Sequence, residues 1–178
     1  MINRTQVASG FAWGLRLALA VTTFSLAVPA ESRAQDVGLP LGTQAPTATL
    51  QDLDGNSVEI LNYVKGKPTL LEFWAMWCEI CESLQPQVDQ IHSTYGDRLN
   101  VVAVAVGVSQ TPRRIKQHLG EQGARYPYLF DARGAAVRAY KVPTTSVVVI
   151  VDGSGKVAYT GAGAEQDLVG AVRKILGS

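Results

Sequence analysis

Two cysteines, Cys78 and Cys81, are the residues of this chain best suited to covalent chemistry, and no other cysteine occurs among its 178 residues. An apolar run that begins at Leu70 leads directly into them. A thiolate is a strong nucleophile, and two thiols at this spacing can form and break a disulfide by exchange. Since at most one intramolecular disulfide is possible, the domain must fold on a hydrophobic core rather than on a disulfide scaffold. The pair therefore predicts redox chemistry at a single site.

The position of Cys78 makes it the predicted attacking thiol. It follows a predicted buried strand over 69–74 and begins a predicted helix, where unpaired backbone N–H groups and the helix dipole favour a thiolate. Both effects lower the pKa of a thiol. Cys81 lies one helical turn further on and is the predicted resolving thiol. Glu79 and Glu82 place negative charge beside the site and oppose thiolate formation, which argues against a strongly oxidising couple.

Other interpretations of the cysteine pair stay open. A passive structural disulfide at this spacing would close a very small loop and would constrain the unfolded chain little. Metal binding needs further ligands, and His92 and His118 stand far from the pair in sequence, in predicted helices where surface positions are expected. Met76, beside the thiols, keeps open a metallochaperone-like module in which soft sulfur ligands hold Cu(I).

Glu72 interrupts the apolar run with a carboxyl group. In a strand buried on both faces that group is costly unless it is neutral or paired, and burial raises the pKa of a carboxyl. We therefore predict Glu72 as a proton acceptor near neutral pH, with a solvent-exposed place at the sheet margin as the alternative. Trp74 is expected in the core, and Trp77 is expected on an apolar rim that faces a partner.

The pattern around the motif alternates between predicted strands and helices. After Cys81, apolar residues recur at helical spacing as far as Tyr95, with Gly96 as the stop and Pro86 inside the helix. The other predicted elements are a linker over 36–46, a hairpin over 47–60 that turns at Asp54-Gly55, a strand over 100–108, a helix from Thr111-Pro112 to about Gln122, a strand over 127–130, a turn with a short helix over 131–140, strands over 146–151 and 156–160, and a final helix over 165–176. This order predicts an α/β fold whose mixed central sheet carries helices on both faces.

The N-terminal segment, residues 1–34, is predicted to be a secretory signal rather than part of the fold. It combines a basic start, an apolar stretch and small residues that favour cleavage after Ala34, or alternatively after Ala30. The competing hypothesis is an uncleaved membrane anchor over 11–30, against which Arg16 counts. Membrane contact is expected only if this segment is retained.

The rest of the chain, residues 35–178, is predicted to be one domain. Cleaved or anchored, it would lie outside the cytoplasm, where disulfides persist. A net charge of +1 and the lack of a basic run argue against a nucleic-acid partner.

The segment around the cysteines resembles that of thioredoxin-fold proteins, and the resemblance covers about residues 45–176. Phe73 to Cys81 matches the F-W-A-x-W-C-x-x-C pattern, and Glu72 matches the buried acid that precedes it. Pro86 matches the proline five residues after the second cysteine. Val142-Pro143-Thr144 matches the cis-proline that precedes a strand in the family.

Within that family the chain is more similar to the extracytoplasmic TlpA, ResA and CcmG group. The export signal, the hairpin ahead of the main strand and an insert over 111–137 carry this resemblance. It implies a thioredoxin-like three-layer fold with an N-terminal β-hairpin and a central insert. Two departures from the group's pattern are Glu72, where Asn is more frequent, and Leu84, where the group often carries Glu.

The resemblance implies a periplasmic thiol-disulfide oxidoreductase that needs no cofactor or metal. Its clients would be disulfides in particular proteins, as in cytochrome c biogenesis or the maturation of copper-site proteins, and a membrane thiol electron donor of the DsbD or CcdA type would re-reduce it. Cys78, Cys81 and Glu72 would be catalytic, and Trp77 would belong to the client-binding surface. Pro143 would lie against the cysteines, and the residue before it, Val142, would pair with the client backbone. A dithiol oxidase or isomerase is the alternative within the same class.

Overall fold

The computed structural model describes residues 37–120 and 124–177. The predicted export segment lies outside the described residues. The described part contains seven strands: β1 (Thr49–Asp52), β2 (Ser57–Glu59), β3 (Thr69–Trp74), β4 (Asn100–Val106), β5 (Tyr128–Asp131), β6 (Val147–Val151) and β7 (Val157–Ala162). It also contains five helices: α1 (Leu61–Val64), α2 (Glu79–Tyr95), α3 (Pro112–Leu119), α4 (Ala135–Ala139) and α5 (Leu168–Leu176). None of these helices combines the length and the apolar character that crossing a membrane requires.

The strands form one mixed sheet in the order β2-β1-β5-β4-β3-β6-β7. The β3–β4 and β4–β5 pairs are parallel, and the remaining pairs are antiparallel. Parallel neighbours require crossover connections, which α2 and the α3 segment provide. The predicted α/β architecture is therefore confirmed, including the N-terminal hairpin of β1 and β2.

Strand β3 lies inside the sheet, and all six of its residues are buried. Alternate side chains of a strand point to opposite faces, so this strand contributes to two separate core clusters. Leu70 and Trp74 pack with both cysteines and with apolar residues of α2, α3 and α5. Leu71 and Phe73 pack on the other face with residues of α1 and α4. The continuous apolar run was the correct signal for a strand buried on both faces.

Several local features differ from the sequence prediction. The short helix α1 was not predicted, because its four residues are too few to show a period. Helix α3 ends at Leu119, with Gly120 after it, rather than near Gln122. The predicted linker is partly an ordered strap, because Gly42 and Ala45 donate backbone hydrogen bonds to Val157 and Gly155 at 2.7 and 2.8 Å. The strap thus pairs with backbone groups at the edge of the sheet.

Candidate redox active site

Cys78 and Cys81 are joined by a disulfide, with their Cα atoms 5.3 Å apart. Cys78 is the N-cap of α2, and its Sγ accepts a hydrogen bond from the Cys81 backbone N–H at 3.2 Å. The sulfur therefore lies at the positive end of the helix, as the sequence predicts. Cys78 is only 6% exposed and Cys81 only 3%. This placement favours a thiolate at Cys78, while Cys81 lies deeper in the core.

The loop between β3 and α2 is fixed by hydrogen bonds to the loop that follows β4. Met76 donates its backbone N–H to Oε1 of Gln110 at 3.0 Å, and Nε2 of Gln110 donates to the Val106 carbonyl at 2.6 Å. Trp77 donates its indole N–H to the Val108 carbonyl at 2.9 Å. Gln110 is 5% exposed and was missed in the sequence, where it resembles an ordinary polar residue ahead of a helix. These bonds hold the residues that lead into Cys78.

Glu72 is buried, with 2% of its surface exposed, so the alternative place at a sheet margin is wrong. It pairs with Ala103 of β4 and Val148 of β6, both of which are apolar. It shares its face of β3 with Leu70 and Trp74, which pack in the same cluster as the two cysteines. Burial, followed by the negative charge of Asp89, raises the pKa of Glu72 to about 8. The site thus contains a carboxyl group that can exchange a proton near neutral pH.

A cleft of about 510 Å³ opens beside the exposed edge of the motif. It is lined by Trp77, Val106, Gly107, Val108, Ala132, Arg133, Gly134, Val137, Val142, Pro143, Thr144 and Thr145. Trp77 is 49% exposed, as expected for a rim residue, and Trp74 is buried. The structure therefore brings together the three residues predicted to bind the client, Trp77, Val142 and Pro143, in one mostly apolar surface.

The segment before β6 departs from the resemblance. The described residues contain no cis peptide bond, so a cis bond before Pro143 is wrong for this structure. The trans form is the intrinsically preferred isomer of an X–Pro bond. Strand β6 begins at Val147, which pairs with Phe73, and the residue directly before the strand is Ser146. The family position that precedes the strand is thus held by Ser146, three residues after Pro143.

Ser146 was predicted as the first residue of a strand and instead ends the preceding loop. Its φ is 56°, in the left-handed region that few residues other than glycine adopt. The residue is buried, and its Oγ and carbonyl oxygen both accept from the Gly163 N–H, at 3.1 and 3.2 Å. Gln166 donates to the same carbonyl at 3.1 Å. These bonds hold the loop in the conformation that carries Pro143 to the cleft.

A second, smaller cleft of about 270 Å³ lies on the other side of the motif. It is lined by Trp74, Ala75, Cys81, Glu82, Gln85 and His118. His118 is exposed, as predicted, and its ring lies 6.0 Å from that of Trp74. His92 is half-buried, with its ring 5.4 Å from that of Tyr126. Within residues 37–120 and 124–177, no three His, Cys, Asp or Glu side chains lie close enough to hold a metal ion.

Comparison with known families agrees with this geometry. The Redoxin family model matches residues 40–176. The chain belongs to the Redoxin family. The match covers most of the chain and includes the cysteine pair, Glu72 and the whole sheet. The TlpA/ResA/CcmG-like thioredoxin fold that the motif implied is therefore confirmed.

Individual relatives of this Redoxin-family chain are named as thiol-disulfide or thioredoxin-like proteins. Thiol-disulfide oxidoreductase ResA of Bacillus thuringiensis (strain Al Hakam) is 27% identical over 139 residues, which are 77% of this chain and 79% of ResA. Thioredoxin-like protein YneN of Bacillus subtilis (strain 168) is 31% identical over 117 residues, which are 64% of this chain and 68% of YneN. A Chlorobium tepidum crystal structure assigned as thiol:disulfide interchange protein DsbE superposes with a TM-score of 0.68 at 27% identity, over 78% of this chain and 99% of that one.

Proposed function

We propose that this chain is a thiol-disulfide oxidoreductase that reduces disulfides in client proteins outside the cytoplasm. The observation that carries the proposal is the place of Cys78, whose sulfur caps α2 and accepts the Cys81 N–H. Similarity to ResA and to the DsbE structure supports the same chemistry. The described part holds Cys78 and Cys81 in one core cluster, and Glu72 lies on the strand face that packs in that cluster, which supports the proposed roles of nucleophile, resolving thiol and proton acceptor.

The reaction begins with the reduced pair. The Cys78 thiolate attacks one sulfur of the client disulfide, that disulfide breaks, and the departing client sulfur takes a proton from water. A mixed disulfide now joins Cys78 to the client. Cys81 then gives its proton to Glu72 and attacks the Cys78 sulfur, which releases the second client sulfur as a thiolate. Two electrons pass from the cysteine pair to the client, and the chain is left with the disulfide seen in the structure.

Glu72 acts in the second half of this cycle. A thiol attacks only as its thiolate, and Cys81 is buried away from solvent water. Because burial raises the pKa of Glu72 to about 8, a useful fraction of the carboxyl is ionised and basic near neutral pH. Resolution of the mixed disulfide is therefore expected to accelerate as the pH rises toward 8.

The cleft beside Trp77 provides the surface for the client chain. Its apolar lining, together with Val142 and Pro143, suits an extended client segment that presents an apolar side chain next to its cysteine. Backbone groups of the loop around Val142 would meet the client backbone. This arrangement favours protein disulfides over small free disulfides, since an extended peptide segment buries more apolar surface in the cleft than a small disulfide does.

The location and the partners follow from the export signal predicted over 1–34. In an oxidising compartment a dithiol reductant must be re-reduced after each turnover, so a membrane thiol electron donor of the DsbD or CcdA type is part of the proposal. The client classes are apocytochrome c and copper-site proteins that must be kept reduced during maturation. Exposed Glu79 and Glu82 beside Cys78 support the reducing direction, because their charges disfavour the thiolate that an oxidant would stabilise.

The decisive experiment is covalent trapping. With Cys81→Ser in the full chain, mixed disulfides between Cys78 and client proteins should accumulate in the periplasm and disappear on treatment with dithiothreitol. Cys78→Ser is the matched control and should trap nothing. Adducts that form equally through Cys81 in the control would overturn the assignment of roles.

The direction of electron flow has its own measurement. The reduction potential of the Cys78–Cys81 couple against a glutathione or dithiothreitol buffer should lie well below that of DsbA, which is about −120 mV. A value close to that of DsbA would overturn the reductant proposal and favour a dithiol oxidase.

A further inference from the structure

A polar cluster lies between α2 and the start of β5, on the sheet face that carries Glu72. Nε2 of Gln85 donates both to Oδ1 of Asp89 at 3.0 Å and to the Tyr126 hydroxyl at 2.6 Å. Nη1 of Arg125 lies 2.7 Å from Oδ2 of Asp89. Gln85 and Asp89 are one helical turn apart and so share a face of α2. The redox reaction as described above uses none of these side chains.

The directions of the hydrogen bonds in this cluster are determined by chemistry. A carboxylate can only accept, so Asp89 turns the amide N–H₂ of Gln85 toward itself and toward Tyr126. The Tyr126 oxygen therefore accepts from Gln85, and the hydroxyl hydrogen of Tyr126 stays available for another acceptor. The two rings stack, with centroids 5.1 Å apart and planes 11° apart. Asp89 thereby orients the Gln85 amide and, through it, the Tyr126 hydroxyl, whose ring stacks on that of Tyr128.

The sheet register brings this cluster to Glu72. Ala103 of β4 pairs with Glu72 on one side and with Tyr128 on the other, so the three residues form a row on one face. Neighbouring strands are about 4.8 Å apart, which separates the Glu72 and Tyr128 backbones by about 10 Å. Only the methyl group of Ala103 lies between the two side chains in that row. Both are buried, so little water screens the charges between them.

The charged and titratable groups around Glu72 are few. Helix α2 and its N-cap contribute Asp89, Glu82, His92 and the two cysteines, and α3 contributes His118. Strand β5 and the residues just before it contribute Tyr126, Tyr128 and Arg125. Strands β4 and β6 contribute only Ala103 and Val148 opposite Glu72. Among these groups Asp89 is the negative charge that raises the pKa of Glu72, and Arg125 is the cation that partly neutralises it.

We propose that Asp89, held in place by Arg125 and Gln85, is a positioning residue for the redox reaction that sets the pH at which Glu72 can take the proton of Cys81. This inference rests on the proposed function, because it assigns a regulator to the proton acceptor of that reaction. The negative charge of Asp89 keeps Glu72 protonated to higher pH, and the stacked tyrosines connect the Asp89 cluster to the sheet row that contains Glu72. The intact cluster therefore delays resolution until the pH approaches 8.

The test is the pH profile of resolution. The full chain, loaded at Cys78 with a disulfide-bonded peptide, is followed from pH 5 to pH 10 by stopped-flow measurement of peptide release. With Asp89→Asn the midpoint should move to lower pH by roughly half to one unit, as expected when a like charge is removed. Asp97→Asn, which removes an exposed charge just after α2, is the matched control and should leave the midpoint unchanged.

A second variant should shift the midpoint of the pH profile in the opposite direction. Arg125→Gln keeps the charge of Asp89 but removes the cation beside it, so the midpoint should move to higher pH. Direct titration of the Glu72 carboxyl by carbon NMR in the oxidised protein should show the same two opposite shifts, even if the reaction is slowed by loosened packing. If Asp89 had a merely structural role, its substitution would alter the unfolding temperature but would leave the midpoints of the resolution profile and of the Glu72 titration unchanged.

Failure of this inference is distinguishable from failure of the proposed function. If Glu72→Gln abolishes the step near pH 8 in the profile of resolution while Asp89→Asn and Arg125→Gln leave the midpoint in place, the role of Asp89 is overturned and the oxidoreductase proposal stands. If Glu72→Gln leaves the profile unchanged, both the role of Asp89 and the proton transfer to Glu72 are overturned. In a Glu72→Gln background, Asp89→Asn should have no further effect on the profile.

Discussion

At the scale of single residues, Glu72 couples the redox site to the stability of the fold. The pKa of its carboxyl is about 8 in the folded protein and close to the ordinary 4.5 in the unfolded chain. Between these values the folded state holds a proton that the unfolded state has lost, so rising pH favours unfolding. The cost is roughly 1.4 kcal/mol for each pH unit in that window, because one unit of pKa corresponds to that energy.

Glu72→Gln should therefore stabilise the oxidised protein increasingly as the pH rises from 4.5 to 8. The neutral amide carries no proton to lose, so the difference in unfolding free energy between variant and parent should grow by roughly 1.4 kcal/mol per unit and then level off above pH 8. Urea unfolding at several pH values measures this difference. Glu165→Gln, at an exposed position, is the control and should give a flat difference.

A parallel pair of stability curves for Glu72→Gln and the parent protein would contradict the raised pKa. The oxidised form is used because its cysteines do not titrate, so the difference between the variant and the parent protein reports the titration of Glu72. The same variant should also slow resolution of the mixed disulfide, since Cys81 loses its proton acceptor.

Single residues show where sequence reasoning succeeds. Glu72 could be placed because a lone carboxyl in an apolar run has few explanations, and Cys78 could be placed because a strand followed by a helical pattern defines the junction. Gln110 could not, because the hydrogen bond that reveals its role joins it to Met76, more than thirty residues earlier in the chain. Pro143 was matched to the family's cis-proline because prolines are conspicuous, whereas the structure has no cis bond there and the register of β6 against β3 places Ser146 directly before the strand.

At the scale of elements, the loop between β3 and α2 depends on the loop after β4. Gln110→Ala should leave the Met76 N–H and the Val106 carbonyl without their partner, at a cost of about 1–3 kcal/mol for buried polar groups. Urea unfolding should show this loss of stability. Amide hydrogen exchange at Met76 should accelerate, because local opening no longer breaks a buried bond.

Gln117→Ala is the matched control for that loss, since Gln117 is an exposed glutamine of α3 that takes no part in the hydrogen bonds between the two loops. It should change neither the stability by a comparable amount nor the exchange at Met76. Unchanged exchange at Met76 in Gln110→Ala would show that the indole bond of Trp77 to Val108 is enough to hold the loop.

The elements themselves were largely predictable because their hydrophobic patterns are long. Strand β3, helix α2 with Pro86 inside it, and the final helix α5 were expected near their observed limits. Predictions failed where structure depends on partners far along the chain. The strap around Gly42 is ordered by backbone bonds to Val157, which no local pattern can indicate.

At the scale of the whole molecule, the exposed apolar side chains gather at one end of the sheet. Among the described residues the large exposed hydrophobics are Leu41, Trp77, Ile80 and Val108. Trp77 and Ile80 flank Cys78 in the sequence, and Val108 lines the same cleft as Trp77. Such a cluster marks a surface for a partner, whereas a single exposed residue such as Leu41 needs no explanation.

Trp77→Ala should therefore weaken turnover of protein disulfides selectively. We expect kcat/KM for a disulfide-bonded client peptide to fall about tenfold, the scale of an interface residue worth about 1.4 kcal/mol, with little change toward a small aromatic disulfide. Leu41→Ala is the control, because Leu41 is 46% exposed, similar to Trp77, but lies outside the cleft. An equal loss for both substrates would mean that the indole acts on the cysteines rather than on the client.

The strap that pairs with the edge of the sheet has a consequence for the order in which the chain can assemble. Gly42 meets Val157 and Ala45 meets Gly155, so each contact closes a loop of more than a hundred residues. Because a polypeptide is synthesised from its N-terminus, these bonds cannot form until almost the whole chain has left the ribosome. The strap is consequently expected to dock late, and the edge of β7 stays open to other strands until it does. A chaperone that shields this edge until the strap docks would raise the yield of native protein without contacting the redox site.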